Sequence, residues 1–188
     1  MAKVQIFANS IITENFENAE LESEIFKELK IQEKIGGRQI SNFGGFQSNG
    51  INNKIILQSL GKKTTDLLLQ NYNIKSKEIW ITDLWINQNL QKDFNIVHIH
   101  EGSHFSGVYY LQVPKENGEL VFLREDSVVL SNLNKYISNN SEFIHNYYIK
   151  PKKNLLVLFP SYLRHCVLPH KEKCARVSVS FNVKFKNG

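Results

Sequence analysis

The segment that most constrains this chain lies near its end. In Arg176-Val177-Ser178-Val179-Ser180-Phe181-Asn182-Val183-Lys184-Phe185, apolar residues hold every odd position and polar residues every even one. Side chains on a strand alternate between faces, so this pattern predicts a strand that buries one face. Arg176, Ser178 and Ser180 go to the other face, toward the inside of whatever the sheet encloses. A buried arginine is costly unless it meets an anion. Its guanidinium pairs bidentately with a carboxylate, and a serine hydroxyl on the same face adds a further hydrogen bond. Two partners remain open at this point: one of the chain's own acids, or a carboxylate ligand.

Upstream, the apolar spacing divides the chain into two unlike parts. From about Glu14 to Lys34 it is helical, with Phe16, Ala19, Ile25, Phe26 and Leu29 on one face. A second helical stretch runs from about Asn53 to Gln70, with Gly61 a potential break. Between them, Ser41 to Ser48 reads as an ordered loop. After Lys75 the pattern changes to short β-rich runs at Glu78–Ile86, Asn95–His100, Gly107–Val113, Glu119–Leu123, Leu155–Phe159 and Arg176–Phe185. Helices followed by six to eight strands imply an α+β chain, mainly β, with the strands in a sandwich or jelly-roll barrel. No linker interrupts the sequence, so residues 1–188 are expected to form one domain. Residues 1–75 would be mainly helical support and 76–188 the β core.

Histidines supply the chemistry. His98, His100 and His104 fall within seven residues of one another. In Val97-His98-Ile99-His100 the two imidazoles share a strand face, and imidazole suits Fe, Zn, Cu or Ni. An isolated pair of this kind is more often structural. His165 changes the balance, because it follows the buried run Leu155–Phe159 and the turn at Pro160, where a distant third ligand closes a metal site. The segment Ser106-Gly107-Val108-Tyr109-Tyr110-Leu111 puts Tyr110 on the face opposite Tyr109 and Leu111, so one tyrosine hydroxyl can enter the barrel. Asn87, His104 and Ser106 are further pocket candidates, and Arg124 and the segment from Ser127 to Tyr148 candidate substrate contacts. His145 and His170 read as surface or turn residues.

Composition narrows the partners. The net charge is +5, from 23 basic and 18 acidic residues, but the lysines are dispersed and no long run of like charge occurs. This favours a solvated surface and argues against nucleic acid. No apolar run approaches the ~20 residues of a membrane span, and the first residues lack a secretory signal. A cytoplasmic location is therefore expected, with Cys166 and Cys174 as free thiols. A homodimer is compatible with these features.

The anchors at 41–48, 98–111, 159–165 and 176–182 together resemble the 2-oxoglutarate- and Fe(II)-dependent oxygenases. Specifically, they resemble a group of small oxygenases found in marine bacteria and their phages. The resemblance implies a double-stranded β-helix, a cupin-like jelly roll, with the N-terminal helices packed on it. It implies Fe(II) as metal and 2-oxoglutarate as co-substrate. The expected reaction hydroxylates a small-molecule or peptidyl substrate and releases succinate and CO2. His98 and His165 match the two histidine ligands, Arg176 and Ser178 the co-substrate carboxylate clamp, and Tyr110 an assisting tyrosine. One departure stands out: His100 occupies the position of the usual carboxylate ligand. Either His98, His100 and His165 form a three-histidine site, the favoured arrangement, or His100 leads and Gly102 takes the carboxylate position, leaving a water or other ligand. Two rival readings are a cupin-like metal enzyme that uses no 2-oxoglutarate and an inactive jelly-roll binding module.

Overall fold

Two helices open the chain, and each is started by an asparagine. The structure is a computed structural model that describes residues 9–76, 78–116, 118–124 and 146–186. A short strand β1 (Ile12–Asn15) precedes helix α1 (Ala19–Ile35). Asn18 caps α1 by accepting a hydrogen bond from the backbone of Leu21, satisfying a donor the first turn would leave orphaned. The helix thus begins five residues later than its apolar spacing suggests, because the preceding residues pair as an edge strand. Asn53 caps α2 (Lys54–Asn71) in the same way through the N–H groups of Ile55 and Ile56. Gly61 does not interrupt α2, and nothing lies within 4 Å of a Cβ placed there.

All six strand runs read from the sequence exist: β4 (Ile79–Asn89), β5 (Phe94–His98), β6 (Phe105–Gln112), β7 (Leu120–Leu123), β9 (Leu155–Pro160) and β11 (Arg176–Phe185). The sequence reading missed β2 (Asn42–Phe43), β3 (Phe46–Gln47), β8 (Asn146–Ile149) and β10 (His165–Val167), as well as β1. Most are too short to show a period. The expected loop at 41–48 is instead a corner: β2 joins one sheet and β3 the other, with Gly44 and Gly45 between them at φ 67° and 65°. A side chain is strained at such φ, and a Cβ on Gly44 would also lie 2.1 Å from the Asp93 carboxylate. Of the segment expected to contact substrate, 146–148 belong to β8, whereas 125–145, including His145, lie outside the described residues.

The strands form two antiparallel sheets, ordered β1-β9-β6-β11-β4-β3 and β2-β5-β10-β7-β8. Without the short additions, β4, β6, β9 and β11 form the large sheet and β5, β7, β8 and β10 the small one, the jelly-roll order. The odd positions of β11 fulfil the alternation. Val177, Val179, Phe181 and Val183 enter a core with Leu21, Ile25 and Leu29 of α1 and Ile56, Leu60 and Leu68 of α2. Removing such side chains from water, at roughly 1.5–3 kcal/mol each, holds the helices on the outer face of the large sheet. A second cluster of Val108, Tyr110, Leu120, Phe122, Ile149, Val157 and Phe159 fills the space between the sheets. Gly107 lets the chains close up: a Cβ there would stand 2.3 Å from the Phe181 ring and 2.8 Å from Leu158. No described helix is long and apolar enough to cross a membrane, and both cysteines are free.

Candidate metal centre and carboxylate pocket

The small sheet brings the histidines together. His98 ends β5 and His165 begins β10, and the antiparallel pairing sets them directly opposite each other. Their ring centroids are 4.3 Å apart. His100 lies two residues beyond the end of β5, fixed by its N–H to the Ser161 carbonyl at 3.0 Å. Its ring centroid is 5.1 Å from each of the other two. One ring nitrogen from each histidine lies within 4.8 Å of the others, the spacing of a shared ion.

Backbone contacts prepare two of these rings. His98 Nδ1 is 2.7 Å from the Ile96 carbonyl, and His165 Nδ1 is 2.8 Å from the Leu163 carbonyl. A carbonyl only accepts, so each Nδ1 carries the proton and each Nε2 keeps its lone pair, an arrangement common behind metal-ligating histidines. Burial disfavours the charged rings. It pushes His165 down to about 3, with the other two imidazoles adding to the shift. Burial and the neighbouring His98 push His100 down to about 4, against the opposing charge of Asp83. His98 is also lowered by burial. All three are therefore neutral near pH 7 and able to donate to a cation. Three neutral nitrogen donors, His165 buried and His98 and His100 half-buried, fit Fe(II).

The same cavity contains the predicted anion clamp. Arg176, 2% exposed, lines it together with Ser178 and Tyr110. Arg176 pairs with Asn89 of β4, and Ser178 lies opposite Tyr110 of β6. One guanidinium nitrogen donates to the Gly118 carbonyl at 2.8 Å, and among the described residues no carboxylate pairs with this side chain. A buried cation with donor capacity left over suits the far carboxylate of 2-oxoglutarate. Burial lowers the Arg176 pKa, opposed by Tyr110 and Asp93. Tyr110 is pushed up to about 12, burial outweighing the pull of Arg176, so its hydroxyl stays protonated as a donor. Tyr109 turns the other way and donates to the Phe16 carbonyl at 3.0 Å.

Other candidates divide. Asn87 lines the cavity, but His104 and Ser106 do not. His104 stacks on Phe185 and accepts that residue's N–H, securing the end of β11. Ser106 is held between Ser161 and Asn182. His170 is fully buried rather than at the surface, its Nε2 donating to the Asn89 carbonyl. Ser180 lines the cavity as the alternation of β11 predicts, whereas sequence reasoning missed Trp85 and Asn89 in its wall. The one signal for them is that Trp85, Asn87 and Asn89 alternate along β4, and only the pairing with β11 shows which face that is.

A cluster of three histidines and a buried arginine lie between the sheets of a jelly roll, and the comparisons with known proteins supply the class. The family model described as "Putative 2OG-Fe(II) oxygenase" matches residues 83–182, more than half of the chain. The chain belongs to this family and is a 2-oxoglutarate- and Fe(II)-dependent oxygenase. Compared by sequence with curated proteins, it matches none. Among solved structures, it is similar to a Pseudomonas putida prolyl-4-hydroxylase at 14% identity and TM-score 0.65, covering 95% of this chain and 94% of that one. A Trichoplax adhaerens prolyl hydroxylase, solved with a hypoxia inducible factor peptide fragment, matches at 18% identity and TM-score 0.60 over 93% and 83%. HygX from Streptomyces hygroscopicus, with nickel, 2-oxoglutarate and hygromycin B bound, matches at 8% identity and TM-score 0.64 over 95% and 84%. At these identities the likeness shows the shared fold. Family membership leaves the cupin-like alternative without support.

Proposed function

We propose that the chain hydroxylates an organic substrate, with His98, His100 and His165 holding Fe(II) and with Arg176, Ser178 and Tyr110 holding 2-oxoglutarate. The observation that carries this reading is one cavity lined by three neutral imidazoles and by a buried guanidinium that pairs with no carboxylate among the described residues. Bound there, metal and co-substrate supply the oxidative chemistry: O2 is consumed, 2-oxoglutarate leaves as succinate and CO2, and one oxygen atom enters a substrate C–H bond. The protein's part is to fix and shield. Nδ1–H bonds to Ile96 and Leu163 hold the two facing rings. Arg176 neutralises the far carboxylate, with the Ser178 and Tyr110 hydroxyls beside it. The apolar wall of Val108, Leu120 and Phe159 excludes water.

The three-histidine set is favoured over the arrangement using Gly102. Gly102 lies in the turn after His100 at φ 75°, whereas His98 pairs directly with His165. Three neutral ligands leave an Fe(II) site one charge unit more positive than two histidines and a carboxylate would. The structural neighbours named for a peptide fragment and for hygromycin B support a small-molecule or peptidyl substrate. One domain spanning 1–188 is part of the same reading, since β1 joins the large sheet and both helices pack on it.

Anaerobic addition of Fe(II) and then 2-oxoglutarate should produce a visible charge-transfer band, and admission of air should release succinate in step with 2-oxoglutarate loss. A protein that binds neither component by calorimetry would instead be the inactive jelly-roll module.

A further inference from the structure

The inward row of β4 extends past the co-substrate pocket, and its outer half has no role in the reading above. From the deep end outward the row is Asn89, Asn87, Trp85 and Asp83, set against Arg176, Ser178, Ser180 and Asn182. Asn87 is 8% exposed; its Nδ2 donates to Ser180 Oγ at 3.0 Å, and its Oδ1 has no partner. Whichever way the carboxamide is turned, one polar atom meets Ser180 and the other is left over in the cavity wall. A buried polar atom in that position calls for a hydrogen bond from a bound molecule.

Trp85 comes next, its ring 5.7 Å from the His100 ring. Asp83 is two residues, about 6.7 Å, further toward the outside. Its exposed carboxylate accepts from Thr82 Oγ1 at 2.8 Å and from Asn182 Nδ2 at 3.4 Å. Asn182 is itself anchored, accepting from Ser106 at 3.0 Å, and Ser106 meets Ser161 at 2.8 Å. The carboxylate is thus oriented from behind by a hydrogen-bond chain rooted in the core. No cation forms an ion pair with it among the described residues. An anchored, uncompensated acid beside an indole, on the open side of the site, is complementary to a cation.

We propose that Asp83 selects the primary substrate by binding a protonated amine or guanidinium, packed against Trp85, while Asn87 hydrogen-bonds the part of the substrate nearer the histidines. The proposal rests on the oxygenase reading above and adds the substrate's charge class. A free amino acid and a peptide side chain can both carry such a group.

The test measures succinate release by the Fe(II)-loaded full chain. The probes are free lysine, free arginine, and short alanine-glycine peptides with lysine, arginine, norleucine or glutamate at the centre. Stimulation by a cationic probe should exceed that by norleucine or glutamate by about tenfold, as an exposed ion pair with an aromatic contact allows. Response to the free amino acids or to the peptides identifies the source. The cation-to-norleucine ratio is taken within each variant, so that changes in folding or metal loading cancel. It should collapse to near one in Asp83→Asn, and Asp83→Lys should favour glutamate. Equal response to all probes, preference for glutamate, no response, or a ratio that survives in Asp83→Asn overturns the proposal. Absence of basal succinate release without any probe fails the oxygenase reading itself, and this proposal with it.

Discussion

Replacing Arg176 with methionine, an unbranched side chain that fills much of the same space, separates a co-substrate clamp from a structural salt bridge. In the structure the guanidinium is buried, makes one hydrogen bond to the Gly118 carbonyl, and has no acidic partner among the described residues. A bidentate contact to a carboxylate contributes two charge-assisted hydrogen bonds of about 1.5–3 kcal/mol each. Losing both should weaken 2-oxoglutarate binding by roughly 100- to 10,000-fold at 1.4 kcal/mol per decade. Stability responds differently. Replacing a buried charge by an apolar group is neutral or stabilising by about 1–4 kcal/mol, while the orphaned Gly118 carbonyl costs about 1–3 kcal/mol. The two nearly offset, so urea unfolding should shift by less than about 2 kcal/mol. Calorimetric titration of 2-oxoglutarate into anaerobic Fe(II)-loaded protein reads the first quantity. Co-substrate affinity within threefold of the parent, or destabilisation above about 4 kcal/mol, would refute the reasoning, since it would make Arg176 a structural ion-pair member.

Three other outcomes follow from the same geometry. His165→Ala removes the ligand opposite His98 and should abolish Fe(II) binding and any thermal stabilisation by the metal, while the far-ultraviolet circular dichroism remains that of the parent. For the metal-free protein, the folded-state values of about 3 for His165 and about 4 for His100 lie below their unfolded value of about 6.5. Their stabilising contribution is complete above pH 6.5 and is lost as pH falls toward 3, so the melting temperature should decline across that window, and a flat profile would contradict the burial of neutral rings. Gly107→Ala places a methyl group 2.3 Å from Phe181 and should destabilise the fold by about 1–3 kcal/mol in urea titrations.

Much of the fold could be read from local periodicity. The alternation in 176–185 identified β11, its buried face and the inward row that begins at Arg176, because a strand's period of two depends only on the chain itself. Long helices were legible for the same reason, although their starts were set by the Asn18 and Asn53 caps rather than by apolar spacing. Two-residue strands such as β2 and β3 left no trace, since pairing with β5 and β4, not any pattern of their own, makes them strands. His170 illustrates the limit for single residues. It reads from the sequence as a surface or turn residue, yet the imidazole is buried against Asn89.

By itself, then, the sequence determined which residues were available for chemistry: two histidines with one residue between them, a distant third, and an arginine and serine on one strand face. It could not choose between a three-histidine site and one using Gly102, because the turn after His100 has no period. The tertiary structure brings the three rings together, setting His98 opposite His165 and holding His100 by its hydrogen bond to Ser161, which supports the proposed three-histidine set. It also decided that Asn87, Trp85 and Asp83 share the inward face with Arg176. That relation depends on the register between β4 and β11, strands separated by most of the β core, and a slip of one residue would have turned the whole row outward.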